Sequence, residues 1–330
     1  MTSLAPLLES FFTDRLYRQL QASPNTVSTY RDSFRLLLGF AQSRRKKAPS
    51  ELLLTDLDPA VIGAFLTYLE QERHCSPRTR NVRLGAIHSF FRYVALLEPA
   101  HAGIIQRILA IPQKRCDRNL VDFLTRPEVE ALLKTPDRTT WLGRRDYALL
   151  LVGVQTGLRV SEIIGLRPGQ ITFGTGPHIR CRGKGRKERC VPLTRQTAFV
   201  LKAWGAEPNC APSEPVFPSR HGGALSRDAV ERLVGKYAAS AANTCPSLKG
   251  KRVSPHVLRH TAAMQLLQAG VDCAVIALWL GHESIETTGI YLHADLALKE
   301  KALARVAPLS QTTPRRYQSG DQLMAFLNAL

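Results

Sequence analysis

The chain has 330 residues, of which 44% are apolar, and carries 45 Lys and Arg against 27 Asp and Glu. Its length suits two domains and its apolar content suits a packed core, which excludes a disordered or fibrous chain. A formal charge of +18 favours a polyanionic partner, nucleic acid or an anionic membrane surface, and the absence of any apolar run near the roughly 20 residues of a membrane span argues against a membrane role.

Taken in order, residues 4–20 carry Leu4, Leu7, Leu8, Phe11, Leu16 and Leu20 at roughly helical spacing. Ser23-Pro24-Asn25-Thr26 opens a second helix with Val27, Tyr30, Phe34, Leu37, Leu38 and Ala41 on one face, closed by the basic run 44–47. Asp58-Pro59 opens a third over Ile62, Phe65, Leu66 and Leu69, and Ser76-Pro77-Arg78-Thr79 a fourth over Ile87, Phe90, Phe91 and Val94. Opposite these stripes the second and fourth helices project Arg31 and Arg78, Arg80 and Arg83, candidate DNA contacts. A four-helix domain over 1–110 is expected, then a charged linker without apolar periodicity over 111–120.

A second domain is expected over 121–310. Thr125 and Glu128 form a capping box, and a helix from Tyr147 to Thr156 stops at Gly157. A new helix then starts at Arg159, with Glu162 three residues on to orient it. Residues 180–189 hold a Gly-rich turn flanked by Ile179, Val191 and Leu193, which reads as a β-hairpin with Lys184 at its tip and Arg186 and Lys187 beside it. Cys181 and Cys190 would face each other across it. Helices are expected over 196–204 and 226–237, with Arg220 on the loop between them as a further candidate DNA contact.

Pro255 then opens a helix that places His256 and Arg259 on one face, where both can reach one anion. An apolar segment ends at Gly281-His282, and Tyr291 follows. In a tail over 311–330, Leu323, Phe326, Leu327 and Leu330 form an apolar stripe at i, i+3, i+4 and i+7. Seven cysteines without a C-x-x-C pair suggest reduced thiols and no zinc site.

T-G-L-R-x-S-E, G-K-G-x-K, H-x-L-R-H-T and L-G-H-x-S-x-x-T-T-x-x-Y stand in this order over residues 156–291. On these motifs the chain resembles the tyrosine recombinases of the phage-integrase and Xer class. The resemblance implies a mainly α fold: an N-terminal four-helix, SAM-like core-binding domain and a mixed α/β catalytic domain with a small antiparallel sheet, closing as a C-shaped clamp around DNA. It implies a catalytic set of Arg159, Lys184, His256, Arg259, His282 and the nucleophile Tyr291, with Glu162 and His260 behind them. The partner would be double-stranded DNA recombination sites. Assembly would be a homotetramer on two sites, with protomers linked through the tail helix, and a monomer or dimer off DNA. The expected location is a bacterial cytoplasm, at the nucleoid, in keeping with an N-terminus that lacks the basic start of a signal peptide.

The chemistry fits these residue types. Holding tyrosine as phenolate at neutral pH costs about 4 kcal/mol, and the pentacoordinate phosphorus gathers negative charge that fixed donors must meet. Two guanidiniums grip phosphate oxygens and stay charged. His282 adds a donor, Lys184 would protonate the departing 5′-oxygen, and His256 would take the phenolic proton or bond the phosphate. A 3′-phosphotyrosyl link keeps the energy of the broken ester, so neither ATP, metal nor another cofactor is expected. His256, His260 and His282 mimic a zinc set, but Arg259 among them would repel a dication. Integration, excision or transposition of a mobile element is the expected role, because the chain runs past Val306. Xer-type dimer resolution is the alternative; type IB topoisomerase-like relaxation and non-catalytic DNA binding are the readings from other classes.

Overall fold

Four of the described α-helices start where a small polar side chain precedes proline. In the computed structural model, which describes residues 2–116, 121–183, 188–207, 214–282, 288 and 291, Ser23, Asp58, Ser76 and Ser254 each accept the backbone N–H three residues on. Proline follows each of them at the first helical position, where its missing N–H costs nothing.

The chain divides into two units, Met1–Arg118 and Asn119–Leu330. The first is built from α1 (Leu4–Ser10), a π-helical continuation (Phe11–Gln19), α2 (Pro24–Arg45), α3 (Pro59–Gln71), α4 (Pro77–Leu97) and α5 (Ala102–Leu109). The apolar stripes meet in one core, in which Phe11 packs edge-on against Phe34 and Phe90. The fifth helix, which the four-helix expectation does not include, adds Ile105 and Ile108 to that core. Part of the expected linker belongs to this unit. Asn81 pairs with both backbone groups of Lys114 (Nδ2 to O 2.7 Å, N to Oδ1 3.0 Å), and Lys114 Nζ reaches Glu70 at 2.8 Å.

In the second unit α6 (Arg126–Lys134) opens with Glu128 accepting the Thr125 amide at 2.8 Å, and the buried carboxylate also takes Ser247 and Lys251. Next comes α7 (Trp141–Thr156), apolar on every side from Ala148 to Val154 and buried throughout that stretch. A helix hydrophobic all round belongs in a core, and α7 forms the centre of this one. It starts six residues before the expected Tyr147. Of the charges that precede Tyr147 in this helix, Arg145 and Asp146 form an internal pair at 2.7 Å, with the Tyr237 hydroxyl donating to the same carboxylate at 2.9 Å, and Arg144 reaches Glu207 at 2.6 Å.

Beyond α8 (Val160–Ile164) lies a three-stranded antiparallel sheet in the order β1 (Ile171–Thr172), β2 (His178–Arg182) and β3 (Glu188–Pro192). The expected hairpin is β2–β3, but Cys181 pairs with Arg189 and Cys190 with Arg180. Successive side chains alternate between faces, so Cys181 is buried and Cys190 exposed, and the expected facing pair is corrected. The unit continues through α9 (Arg195–Gly205), α10 (Arg227–Ala241), α11 (Pro255–Gln268) and α12 (Cys273–Leu280). Among the described residues no helix is long and apolar enough to cross a membrane. The expected tail contacts Leu323, Phe326, Leu327 and Leu330 lie outside the described residues.

Candidate active site

The left-handed turn at Gly157 sets the geometry. Its φ is +63°, and a Cβ there would stand 2.7 Å from Leu280 Cδ2 and 3.1 Å from Ala262 Cβ. Only glycine fits both the backbone angle and the approach of α11 and α12. The turn leads into Arg159, the N-cap of α8. Glu162 accepts the Arg159 amide at 2.8 Å and its Nη1 at 3.2 Å, while Arg159 Nη2 donates to the Gly281 carbonyl at 2.7 Å.

From α11, Arg259 reaches the same place. It is 5% exposed, and it donates through Nη1 to the Gly157 carbonyl and through Nη2 to the Leu280 carbonyl, each at 2.7 Å. Burial and the neighbouring Arg159 charge lower its pKa to about 10, so it remains a cation at neutral pH. Burial also opposes the charge on Glu162, but hydrogen bonds from Arg189 and the Arg159 amide outweigh it and hold the carboxyl below the usual range. Arg189 donates to both its oxygens at 2.9 Å.

Tyr291 is 1% exposed, among Ala263, Met264, Leu267, Ile276 and Leu280. Its hydroxyl lies 3.0 Å from His260 Nδ1, and its ring lies parallel to that of His282 at 6.4 Å. His282 Nδ1 is 2.8 Å from Thr288 Oγ1. Burial, with His256 and Arg259 nearby, depresses His260 to about 4; burial, with Arg259 and Arg159, does the same to His282. Burial pushes the Tyr291 phenol up, with Arg259 partly offsetting it. Phenol and both imidazoles are therefore neutral at pH 7, inside a ring of guanidinium charge. His256 sits on the exposed side of α11, its ring 6.5 Å from that of His260.

Thus Arg159, Glu162, Arg259, His260, His282 and Tyr291 come together, with His256 at the rim. Lys184, Arg186 and Lys187 lie outside the described residues. The phenol's partner is His260, a residue expected behind the site, and Arg189 joins the site without any signal in the motifs. Of the other candidate cations, Arg31 is exposed but bonded to Asp32 and Ser28, and Arg78 and Arg220 are exposed. Arg83 keeps an enclosed Nη1 without a hydrogen-bond partner among the described residues. Arg80 is a correction. It is 7% exposed, donates to the Pro112 carbonyl at 3.2 Å and lies 3.9 Å from Glu70, so its guanidinium anchors the linker instead of facing solvent. Among the described residues no three His, Cys, Asp or Glu side chains converge as metal ligands would.

The sequence profile of the phage integrase family matches residues 122–297, and that of the phage integrase N-terminal SAM-like domain matches residues 10–96. The chain is 58% identical over 328 residues to "Putative integrase/recombinase y4rC" of Sinorhizobium fredii, covering 99% of this chain and 98% of the relative. It is 31% identical over 308 residues to the tyrosine recombinase XerD of Pseudomonas putida, covering 92% and 97%. In fold it is similar to the Tn1549 transposon integrase solved in complex with circular-intermediate DNA, at a TM-score of 0.68 and 16% identity over 93% of this chain and 100% of the other.

Proposed function

The chain belongs to the phage integrase family of tyrosine recombinases, site-specific recombinases that cut and rejoin DNA strands, and from that premise we propose how its own residues divide the work. Tyr291 is the nucleophile: its oxygen bonds to the scissile phosphorus, the bond to the 5′-oxygen breaks, and a 3′-phosphotyrosyl link remains. Arg159 and Arg259 bind the non-bridging oxygens, and their attraction grows as charge develops on the pentacoordinate state. Lys184 donates the proton taken up by the departing 5′-oxygen.

One observation carries this assignment: the Tyr291 hydroxyl lies 3.0 Å from a neutral imidazole, His260, beside two guanidiniums already oriented by main-chain carbonyls. With its hydrogen on Nε2, His260 offers Nδ1 as the acceptor of the phenolic proton. We therefore give proton acceptance to His260. His256, at the exposed rim, takes the phosphate side, as does His282 from the other side.

The substrate is duplex DNA carrying two recombination sites, a reading supported by the +18 charge and by structures of similar fold described as a site-specific recombinase bound to its difH substrate and as a transposon integrase in complex with DNA. On it the protein acts as a homotetramer in the cytoplasm, without ATP, metal or other cofactor. Its role is integration, excision or transposition of a mobile element; the 58% identity to a chain named as an integrase/recombinase favours this over the dimer resolution of the Xer enzymes, to which it is 31% identical. The test is a nicked duplex drawn from the DNA flanking the gene. Wild-type protein forms a covalent adduct that survives a denaturing gel, while Tyr291→Phe binds the same duplex and forms none. An adduct formed by the variant would refute the assignment.

A further inference from the structure

Arg189 stands on β3 on the same face as buried Val191 and opposite buried Cys181, an unusual place for a cation. Its side chain is 11% exposed. Nε donates to the Trp279 carbonyl at 2.9 Å, and Nη1 and Nη2 donate to the two Glu162 oxygens, each at 2.9 Å. A flat, planar fork of this kind suits bidentate pairing, and it commits three of the five guanidinium N–H donors to protein oxygens.

Two glycines make room for it. A Cβ on Gly281 would stand 2.9 Å from Arg189 Nη1 and 3.1 Å from Cζ, and one on Gly183 would stand 3.2 Å from Nη1. The guanidinium is thus pressed between the residue before Lys184 and the residue before His282. Through Glu162 it also reaches Arg159, which Glu162 holds by amide and side chain, and Arg159 in turn donates to the Gly281 carbonyl. One side chain therefore touches the three segments that deliver Arg159, Lys184 and His282.

We propose that Arg189 is a positioning residue for strand cleavage, which acts on Arg159 through Glu162 without touching the DNA. This rests on the assignment of Arg159 to the scissile phosphate. A group that acts through Arg159 loses its effect when Arg159 is already impaired, whereas a group that merely holds the fold does not.

The experiment is a double-mutant cycle, read as single-turnover adduct formation on the nicked duplex with protein in excess. Arg189→Ala and Arg189→Lys are each made in the wild-type chain and in Arg159→Lys, whose retained cation leaves a measurable rate. In the wild-type background Arg189→Ala should slow cleavage about 30-fold or more and Arg189→Lys about 10-fold, with site affinity changed less than about 3-fold; in Arg159→Lys each should cost less than about 3-fold. Equal losses in both backgrounds, or no loss in the wild type, would overturn the proposal. Should Arg189→Ala fail to fold, the lysine variant carries the cycle alone, because it keeps a charge opposite Glu162. A normal cleavage rate for Arg159→Lys and Arg159→Ala would instead bring down the phosphate assignment beneath it.

Discussion

Acidification should weaken the catalytic unit through its two enclosed imidazoles. His260 and His282 have folded pKa values of about 4, against about 6.5 for an unfolded histidine. Between those values the unfolded chain binds more protons than the folded one, so stability is full above about pH 6.5 and is lost as pH falls toward 4. From about pH 7.5 to pH 5 the linkage relation gives about 2 kcal/mol per ring, which partial exposure trims to about 1–2 kcal/mol. All three tryptophans, Trp141, Trp204 and Trp279, belong to the second unit, so their fluorescence during urea denaturation follows that unit alone. Replacing His260 with Asn removes its titration while leaving every other acid and base in place. The stability difference between wild type and His260→Asn should therefore shrink by about 1–2 kcal/mol between those two pH values. Parallel pH dependences for the two proteins would show that burial of this ring does not disfavour its charged form, and the neutral-acceptor role would fall with it.

Gly157→Ala should destabilise the same unit by about 2–4 kcal/mol, from left-handed strain and from forcing a methyl group against Leu280 and Ala262; a shift in the fluorescence-monitored urea midpoint measures it. Arg259→Ala should cost far more in cleavage rate than in affinity for the nicked duplex, because its contacts strengthen as charge develops; equal losses would make it an ordinary phosphate anchor. Lys184→Ala should recover cleavage on a 5′-bridging phosphorothiolate, whose sulfur leaves without a proton, and no recovery would remove it from the acid's role.

Features set by neighbours along the chain are legible in the residue order itself. The Ser-Pro and Asp-Pro openings, the stop at Gly157 and the pairing of Arg159 with Glu162 depend on groups within four residues, and each is found in the fold. Features set by distant partners are not. Arg80 occupies the polar side of a helical wheel, yet its carbonyl partner comes from Pro112 and its carboxylate from Glu70, and no periodicity reports either. His260 reads as support for its helix because the residue that gives it a task, Tyr291, lies 31 positions away. Strand alternation puts Arg189 on the inward face of β3 with Val191, but its partners, Glu162 and the end of α12, come from distant segments and leave no trace in the local pattern. The two-residue β1 offers too short a pattern to register at all.

The carbonyls that hold the two site arginines have a bearing on inheritance. Arg259 rests on the oxygens of Gly157 and Leu280, and Arg159 on that of Gly281. Every amino acid supplies the same carbonyl oxygen, so point changes at these positions cannot delete the acceptor and act only by moving the backbone. At Leu280, drift among apolar residues of similar size leaves the scaffold of the reaction untouched. At Gly157 and Gly281, both with positive φ and crowded neighbours, nearly every change distorts it. Variation should therefore gather around the two arginines in patches of sharply unequal tolerance, and a deep mutational scan scored on recombination would map that contrast one residue at a time.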